Sequence, residues 1–160
     1  MTVPMASVPV CTIPKAMVYL MAGLTKNLTQ VDATTALAVA YIELPSNYEP
    51  FDSVVVGDAH TRTVKQVQMV GSGGVGWLYE TYSVDVQIVS WQGGNNFQPV
   101  VDRSWRLLSL VESFVRSDPS FGGLVIEACP MSSRSSAGYM ENGRGISSVI
   151  DLTIEVEARI

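Results

Sequence analysis

Charged residues, and the side chains that carry most enzyme chemistry, are scarce in this sequence. Asp, Glu, Lys and Arg make up 16% of the 160 residues, and His60 is the single histidine. The two cysteines, Cys11 and Cys129, lack metal-type spacing and are too few for a disulfide framework. We therefore expect two buried thiols in a reducing compartment and no metal site.

Long apolar runs and basic runs are also missing. The apolar stretch at residues 16–24 (AMVYLMAGL) is far shorter than the roughly 20 residues of a membrane span. Lys15 is the only charge before Lys26, so the stretch lacks the basic region of a signal peptide. The net charge of −5 and the absence of Lys/Arg runs disfavour a phosphate-binding surface. We expect a soluble, unexported protein that binds neither a membrane nor nucleic acid.

One glycine cluster has the spacing of a dinucleotide-binding fingerprint. Gly71, Gly73 and Gly76 follow a stretch rich in valine (TVKQVQMV) that predicts a strand. The fingerprint requires a helix after its last glycine, but the following residues alternate between apolar and polar with the period of a strand. We therefore predict a glycine-rich connection between two strands and no dinucleotide cofactor.

The ionisable side chains form no catalytic pattern. His60 lies beside Asp58 in a polar stretch, no serine lies in a nucleophile elbow, and no second histidine is present. We expect a solvated loop histidine, and we expect Glu155 and Glu157 on the solvated face of a strand. The sequence predicts no catalytic residue and no enzyme.

The segment pattern predicts an extended, proline-bearing arm over residues 1–13 and a single α+β domain over residues 14–160. A helix should run from Pro14 to about Asn27 and bury one apolar stripe of Met17, Leu20, Met21, Leu24 and Leu28. The stretches ALAVAYIEL and DSVVVGD predict two strands, the second ending at Gly57.

The clearest helix lies within residues 97–118, after Asn95 or Asn96 as its N-cap. Apolar residues at helical spacing predict its buried stripe: Val101, Trp105, Leu108, Val111 and Val115. The alternating strands before the helix and at the C-terminus complete the predicted core, to which Trp105, Leu108, Val84, Val86, Leu152 and Ile154 should belong.

A polar segment, residues 131–147, separates the last two predicted strands, of which the first begins in GGLVIEACP with Leu124, Ile126 and Ala128 on one face. It is longer than the 2–5 residues of an ordinary hairpin connection. It also carries residue types that are enriched at protein interfaces: Arg134, Tyr139, Met140 and Arg144. We predict a loop that contacts a partner; the alternative is a hairpin tip that touches nothing.

The order of these segments resembles the tail terminator (tail completion) proteins of long-tailed bacteriophages, from about Lys15 to Ile160. The resemblance is carried by the strand ETYSVDVQIVSW, by the helix leading into SDPSFGGLV, and by the closing strand VIDLTIEVEARI. The N-terminal arm and the glycines at 71–76 have no counterpart in it.

The resemblance implies a mixed or antiparallel sheet with two main helices packed on it, assembled as a hexameric ring. Such a ring caps the tail tube, ends its polymerisation and presents the surface that joins the head. The implied partners are further copies of the chain, the major tail tube protein and a head-completion or neck protein, with DNA only in passage. The implied location is the virion tail, assembled in the host cytoplasm.

Two alternatives remain from the sequence. The chain could be another structural subunit of the tail or neck, such as a tube or head-closure protein. Tube proteins are usually richer in strands and lack a long amphipathic helix between them, which disfavours that alternative. The more distant alternative is a small-molecule-binding α/β domain, whose signature would be a pocket with convergent polar residues.

Overall fold

The protein is an α+β domain, as predicted. The computed structural model describes residues 11–28, 39–41, 52–67, 77–140, 143 and 145–160. The described elements follow one another in the order α1 (Ile13–Leu28), β1 (Val39–Tyr41), β2 (Asp52–Val67), β3 (Trp77–Gln92), α2 (Phe97–Ser117), β4 (Glu127–Tyr139) and β5 (Ile146–Arg159). Of the arm predicted over residues 1–13, residues 1–10 lie outside the described residues, as does the glycine cluster at 71–76, and Ile13 already belongs to α1.

The strands form one sheet in the order β1-β2-β3-β5-β4. The pairs β2–β3, β3–β5 and β5–β4 are antiparallel, and the short β1 runs parallel to β2. The chain enters β3 directly after Gly76, so the segment that follows the glycine cluster is a strand and not the helix of a dinucleotide site.

Strand β2 is longer than the sequence predicts. We expected a short strand ending at Gly57 and a separate strand over TVKQVQMV, but β2 continues through Gly57 to Val67. Irregularities in its pairing with β3 lie between Val56 and Ala59 and between His60 and Thr63, and they absorb the extra residues. Gly57 is therefore part of a bulge within one strand. A Cβ at this position would lie 3.2 Å from the Asp85 carbonyl oxygen, a tight contact that glycine avoids.

The two helices cover one face of the sheet. Strand β5 alternates along its whole length between buried and exposed side chains, as predicted, and β3 does so over its central part. Helix α1 buries one stripe against this face: Ala16, Leu20, Leu24 and Leu28. The core that results contains Val84, Val86, Leu108, Leu152 and Ile154, each at most 4% exposed.

Trp105 is not a core residue, and the prediction that it lies on the buried stripe of α2 is wrong. Its side chain is 44% exposed. The buried face of α2 keeps Leu108, Val111 and Val115 of the predicted stripe. The other residues of that face are Val100, Ser104 and Leu107. Two small hydroxyls, Ser104 of α2 and Ser148 of β5, are hydrogen-bonded in this contact at 2.8 Å. These short side chains let the helix backbone approach the sheet on that side, which turns Trp105 away from the core.

Polar side chains fix the helices to the sheet and to each other. Arg103 of α2 donates from Nε to Asp52 at 3.2 Å and from Nη2 to the Trp91 carbonyl at 2.9 Å. At the other end of α2, the Tyr19 hydroxyl of α1 donates to Asp118 at 2.5 Å, and this hydrogen bond lowers the pKa of the Asp118 carboxyl. The N-cap of α2 is Asn96, one of the two predicted residues.

Candidate interaction surface

The segment predicted as a long loop, residues 131–147, is a β-hairpin. Strand β4 extends to Tyr139, opposite Ile146 of β5, so only residues 140–145 connect the two strands. The prediction of a 17-residue loop is wrong because the serines of β4 have no buried face to give an alternating pattern. Their strand conformation comes from pairing with β5, whose own pattern is strong.

The predicted contact residues lie at different places on this hairpin. Arg134 is in the middle of β4, opposite Asp151 of β5. Tyr139 ends the strand, is 65% exposed and contacts the Phe97 ring of α2 edge to face, with 5.1 Å between the ring centroids. Met140 begins the connection, where its N–H donates to the Gly145 carbonyl at 2.9 Å. Arg144 lies outside the described residues.

Several exposed apolar side chains lie on α2 and β4, two elements that contact each other. Trp105 lies two helical turns from Phe97, on the same side of α2, and Phe97 contacts Tyr139. Met131 of β4 is 57% exposed. Aromatic and methionine side chains are enriched at protein interfaces, so this side has the composition of a contact surface.

The sheet face opposite the helices, which we call the open face, is polar. Gln87 donates to Asp151 at 3.0 Å, and Thr153 donates to Asp85 at 3.0 Å. An open groove of about 400 Å³ on this face is lined mostly by residues that carry a hydroxyl or a carboxylate, among them Thr61, Thr63, Thr81, Glu127, Glu155 and Glu157. Glu155 and Glu157 thus lie on the exposed face of β5.

His60 is on strand β2 and not in the predicted loop. Its Nε2 lies 3.0 Å from Asp85 of β3, and its Nδ1 lies 2.8 Å from the hydroxyl of Thr61. This Asp-His-Thr order resembles that of a hydrolytic triad. However, the His60 and Asp85 side chains are 46% and 47% exposed, so the water-excluding surroundings that strengthen such groups are missing. The geometry is that of an exposed cross-strand contact.

A buried carboxylate that the sequence analysis missed joins the start of α1 to the sheet. Glu80 of β3 is fully buried and accepts hydrogen bonds from the Thr12 N–H at 3.0 Å, the Thr12 hydroxyl at 2.9 Å and Arg62 Nε at 2.5 Å. Burial raises the pKa of Glu80, but hydrogen bonds from Cys11, Thr12 and Arg62 outweigh it and lower the pKa from 4.5 to about 2. The available signal was the position of Glu80 in phase with the buried Tyr82 and Val84.

The cysteines differ from the expectation of two buried thiols. Both are free, but Cys11 is only partly buried and Cys129 is exposed at the edge of the open-face groove. Cys129 precedes Pro130 near the start of the edge strand β4, where no further strand of the described chain covers it.

Two further features concern the described residues alone. The described residues contain no group of three or more His, Cys, Asp or Glu side chains arranged to hold a metal ion. Neither α1 nor α2 is long and apolar enough to cross a membrane.

Comparison with known proteins gives structural similarity at low sequence identity. No protein-family model and no curated protein matches the sequence. Among solved structures, one similar chain comes from the virion of a native gene transfer agent particle. That chain is 12% identical, the TM-score is 0.36, and the alignment covers 88% of this chain and 95% of the other.

Proposed function

We propose that this protein is a structural subunit of a phage-like virion, and that it acts as the tail terminator. The observation that carries the proposal is the arrangement of the three segments that resemble this family. They are β3, α2 with the turn after it, and β5; the two strands are central neighbours in the sheet, and α2 packs on both. The resemblance therefore falls on the framework of the fold and not on scattered surface segments.

The proposed mechanism is geometric and uses no bound cofactor or catalytic residue. Six copies form a ring that seats on the last ring of the tail tube and prevents further tube subunits from adding. The other side of the ring receives the head-completion or neck protein. Contacts repeated around the ring multiply, so that modest individual contacts give a tight cap. The exposed side chains Trp105, Met131 and Tyr139 supply apolar area for such contacts.

The first test is the mass and symmetry of the purified protein, measured by light scattering and negative-stain imaging, alone and in the presence of tail tubes. The proposal expects a closed six-subunit ring in solution or at the tube end. A chain that stays monomeric under both conditions contradicts it.

The second test separates a terminator from other tail or neck subunits. Depletion of this protein during particle production should broaden the distribution of tail lengths, because no cap then ends the polymerisation of the tube. It should also leave heads unjoined, because the head-joining surface is missing. Restoring the intact chain should return both to normal. Tails of normal length after depletion would assign the chain to another position in the particle.

A further inference from the structure

Among the described residues, the sheet has two edges that no further strand pairs with along most of their length. Strand β4 is the last strand on one side, and its residues 131–137 are all exposed. On the other side, β1 pairs with β2 only at residues 53–55, and within the described chain no strand pairs with the outer edge of β2 beyond that point. Residues 60–66 of β2 are exposed. Such edges present unpaired N–H and C=O groups that can pair with another strand.

The charges on the two edges are complementary in one direction only. Strand β4 carries Glu127 and Arg134, and the outer part of β2 carries Asp58 and Lys65, besides Arg62, which pairs with Glu80 of its own subunit. Glu127 and Arg134 are seven residues apart, as are Asp58 and Lys65. In an antiparallel alignment, Glu127 meets Lys65 and Arg134 meets Asp58. In a parallel alignment, each charge meets one of its own sign, which destabilises a strand pair.

The register of the two edges also agrees. Glu127 and Arg134 lie opposite Glu157 and Asp151, which are six residues apart on β5. The extra residue of β4 lies between Pro130 and Ser132, and one extra residue of β2 lies between His60 and Thr63. In the antiparallel alignment these two irregularities fall opposite each other, so the seven-residue spacing from Glu127–Lys65 to Arg134–Asp58 is kept. Asp58 itself lies in the second bulge of β2, between Val56 and Ala59, at the end of the paired stretch.

Glu127 has a further reason to accept a cation from outside its own subunit. It lies directly opposite Glu157 across the β4–β5 pair, and both are exposed carboxylates. Like charges in that position repel each other. Lys65 lines a shallow depression of the open face together with Thr63 and Glu157, and Glu127 lines the groove of that same face. No ion pair involves Lys65 or Glu127 in the described part of the chain.

From these observations we infer that β4 of one copy pairs antiparallel with the outer edge of β2 in the next copy, with Glu127 beside Lys65 and Arg134 beside Asp58. This antiparallel pairing is consistent with a head-to-tail ring. Within one sheet β2 and β4 run in opposite directions. A rotation about an axis parallel to the strands keeps the direction of every strand, so β4 of one copy is also antiparallel to β2 of the next. Every copy then uses both of its edges. This inference names the subunit interface of the proposed ring and rests on that proposal for its closure.

The direct test is disulfide cross-linking in a background of Cys11→Ser and Cys129→Ser. Directly opposite residues of antiparallel strands have Cα atoms about 4.5–5.5 Å apart, which suits a disulfide. The pair Asp58→Cys with Arg134→Cys should give a ladder of cross-linked oligomers on mild oxidation, seen on a non-reducing gel. Two matched controls carry the same number of cysteines: Asp58→Cys with Glu127→Cys reports parallel pairing, and Glu127→Cys with Arg134→Cys reports β4 pairing with its own copy.

The outcomes separate this inference from the proposed function. A ladder from the first pair alone supports the interface. If light scattering shows a ring but that pair does not cross-link, or if a control pair cross-links instead, the interface is overturned and the terminator proposal stands. A chain that neither cross-links nor associates, even on tail tubes, overturns both.

A charge-reversal series gives an independent reading. Arg134→Glu should weaken association by roughly tenfold or more, because it places two acidic side chains together, and Asp58→Lys should do the same. Combining the two reversals should restore association towards that of the unmodified chain, which sedimentation velocity can measure. Failure of the double variant to recover, with circular dichroism unchanged, contradicts the Asp58–Arg134 pair.

Discussion

Glu80 brings donors from separate parts of the chain to one fully buried carboxylate, so it is the residue whose replacement should matter most to the fold. Glu80→Gln keeps the size but turns an NH₂ group towards donors. We expect a loss of about 1–3 kcal/mol in the free energy of unfolding at pH 7, measured by urea denaturation. The exposed Glu155→Gln on β5 is the matched control and should change the free energy by at most about 0.5 kcal/mol.

The pH dependence of this residue has a definite sign. The pKa of Glu80 is lowered by folding, from 4.5 to about 2, so its contribution is fully present above about pH 4.5 and is lost as the pH falls towards 2. The stability difference between the unmodified chain and Glu80→Gln should therefore shrink over that window. A difference that stays constant from pH 7 to pH 2.5 would mean that Glu80 acts through packing and not through its charge.

At the scale of the element, α2 has one buried face and one face with exposed apolar side chains, and paired truncations distinguish the two. Leu108 is 4% exposed, whereas Trp105 is 44% exposed. Leu108→Ala should cost about 2–5 kcal/mol because it leaves a cavity in the core. Trp105→Ala should cost about 1 kcal/mol or less. Urea unfolding followed by circular dichroism measures both, and equal losses would mean that α2 is rotated relative to the structure described.

The hairpin formed by β4 and β5 approaches the turn between β3 and α2 closely at Gly145. A Cβ on Gly145 would lie 2.5 Å from the backbone oxygen of Gln92, which cannot move away without shifting the end of β3. We expect Gly145→Ala to destabilise the protein by about 1–3 kcal/mol. Gly138→Ala, on the same hairpin with no atom within 4 Å of its Cβ, should be neutral or slightly stabilising. Equal melting temperatures for the two variants would contradict the close approach.

At the scale of the whole molecule, the charge distribution predicts that the protein does not bind DNA. The net charge is −5, and the open face carries Glu155, Glu157, Asp85 and Asp151. Binding to DNA depends on phosphate neutralisation by clustered basic side chains, and the sequence has no run of Lys or Arg. We expect no retardation of a double-stranded fragment in a gel-shift assay at about 0.15 M salt, a condition in which basic proteins bind non-specifically. A salt-dependent shift would contradict a surface past which DNA moves freely.

The sequence determined those elements whose own side chains alternate or repeat strongly. The alternation in β5 and the apolar stripe of α1 indicate which face of each element is buried. In β5 every second side chain is apolar, and in α1 every third or fourth, so only burial of that one face removes the apolar surface from water. The same reasoning placed Val84, Val86, Leu152 and Ile154 in the core. It also excluded a helix after the glycine cluster.

Other features were decided only when the chain folded together. Strand β4 is largely serine and acquires its conformation from pairing with β5, and β2 continues past Gly57 because pairing with β3 tolerates a bulge. Apolar spacing allowed Trp105 on the buried side of α2, but the close contact through Ser104 and Ser148 set the rotation of the helix and left Trp105 outside. The donors to Glu80 include Thr12, 68 residues away, and no local pattern can encode a partner at that distance. Each of these outcomes depends on what a neighbouring element presents, and that information is absent from the segment itself.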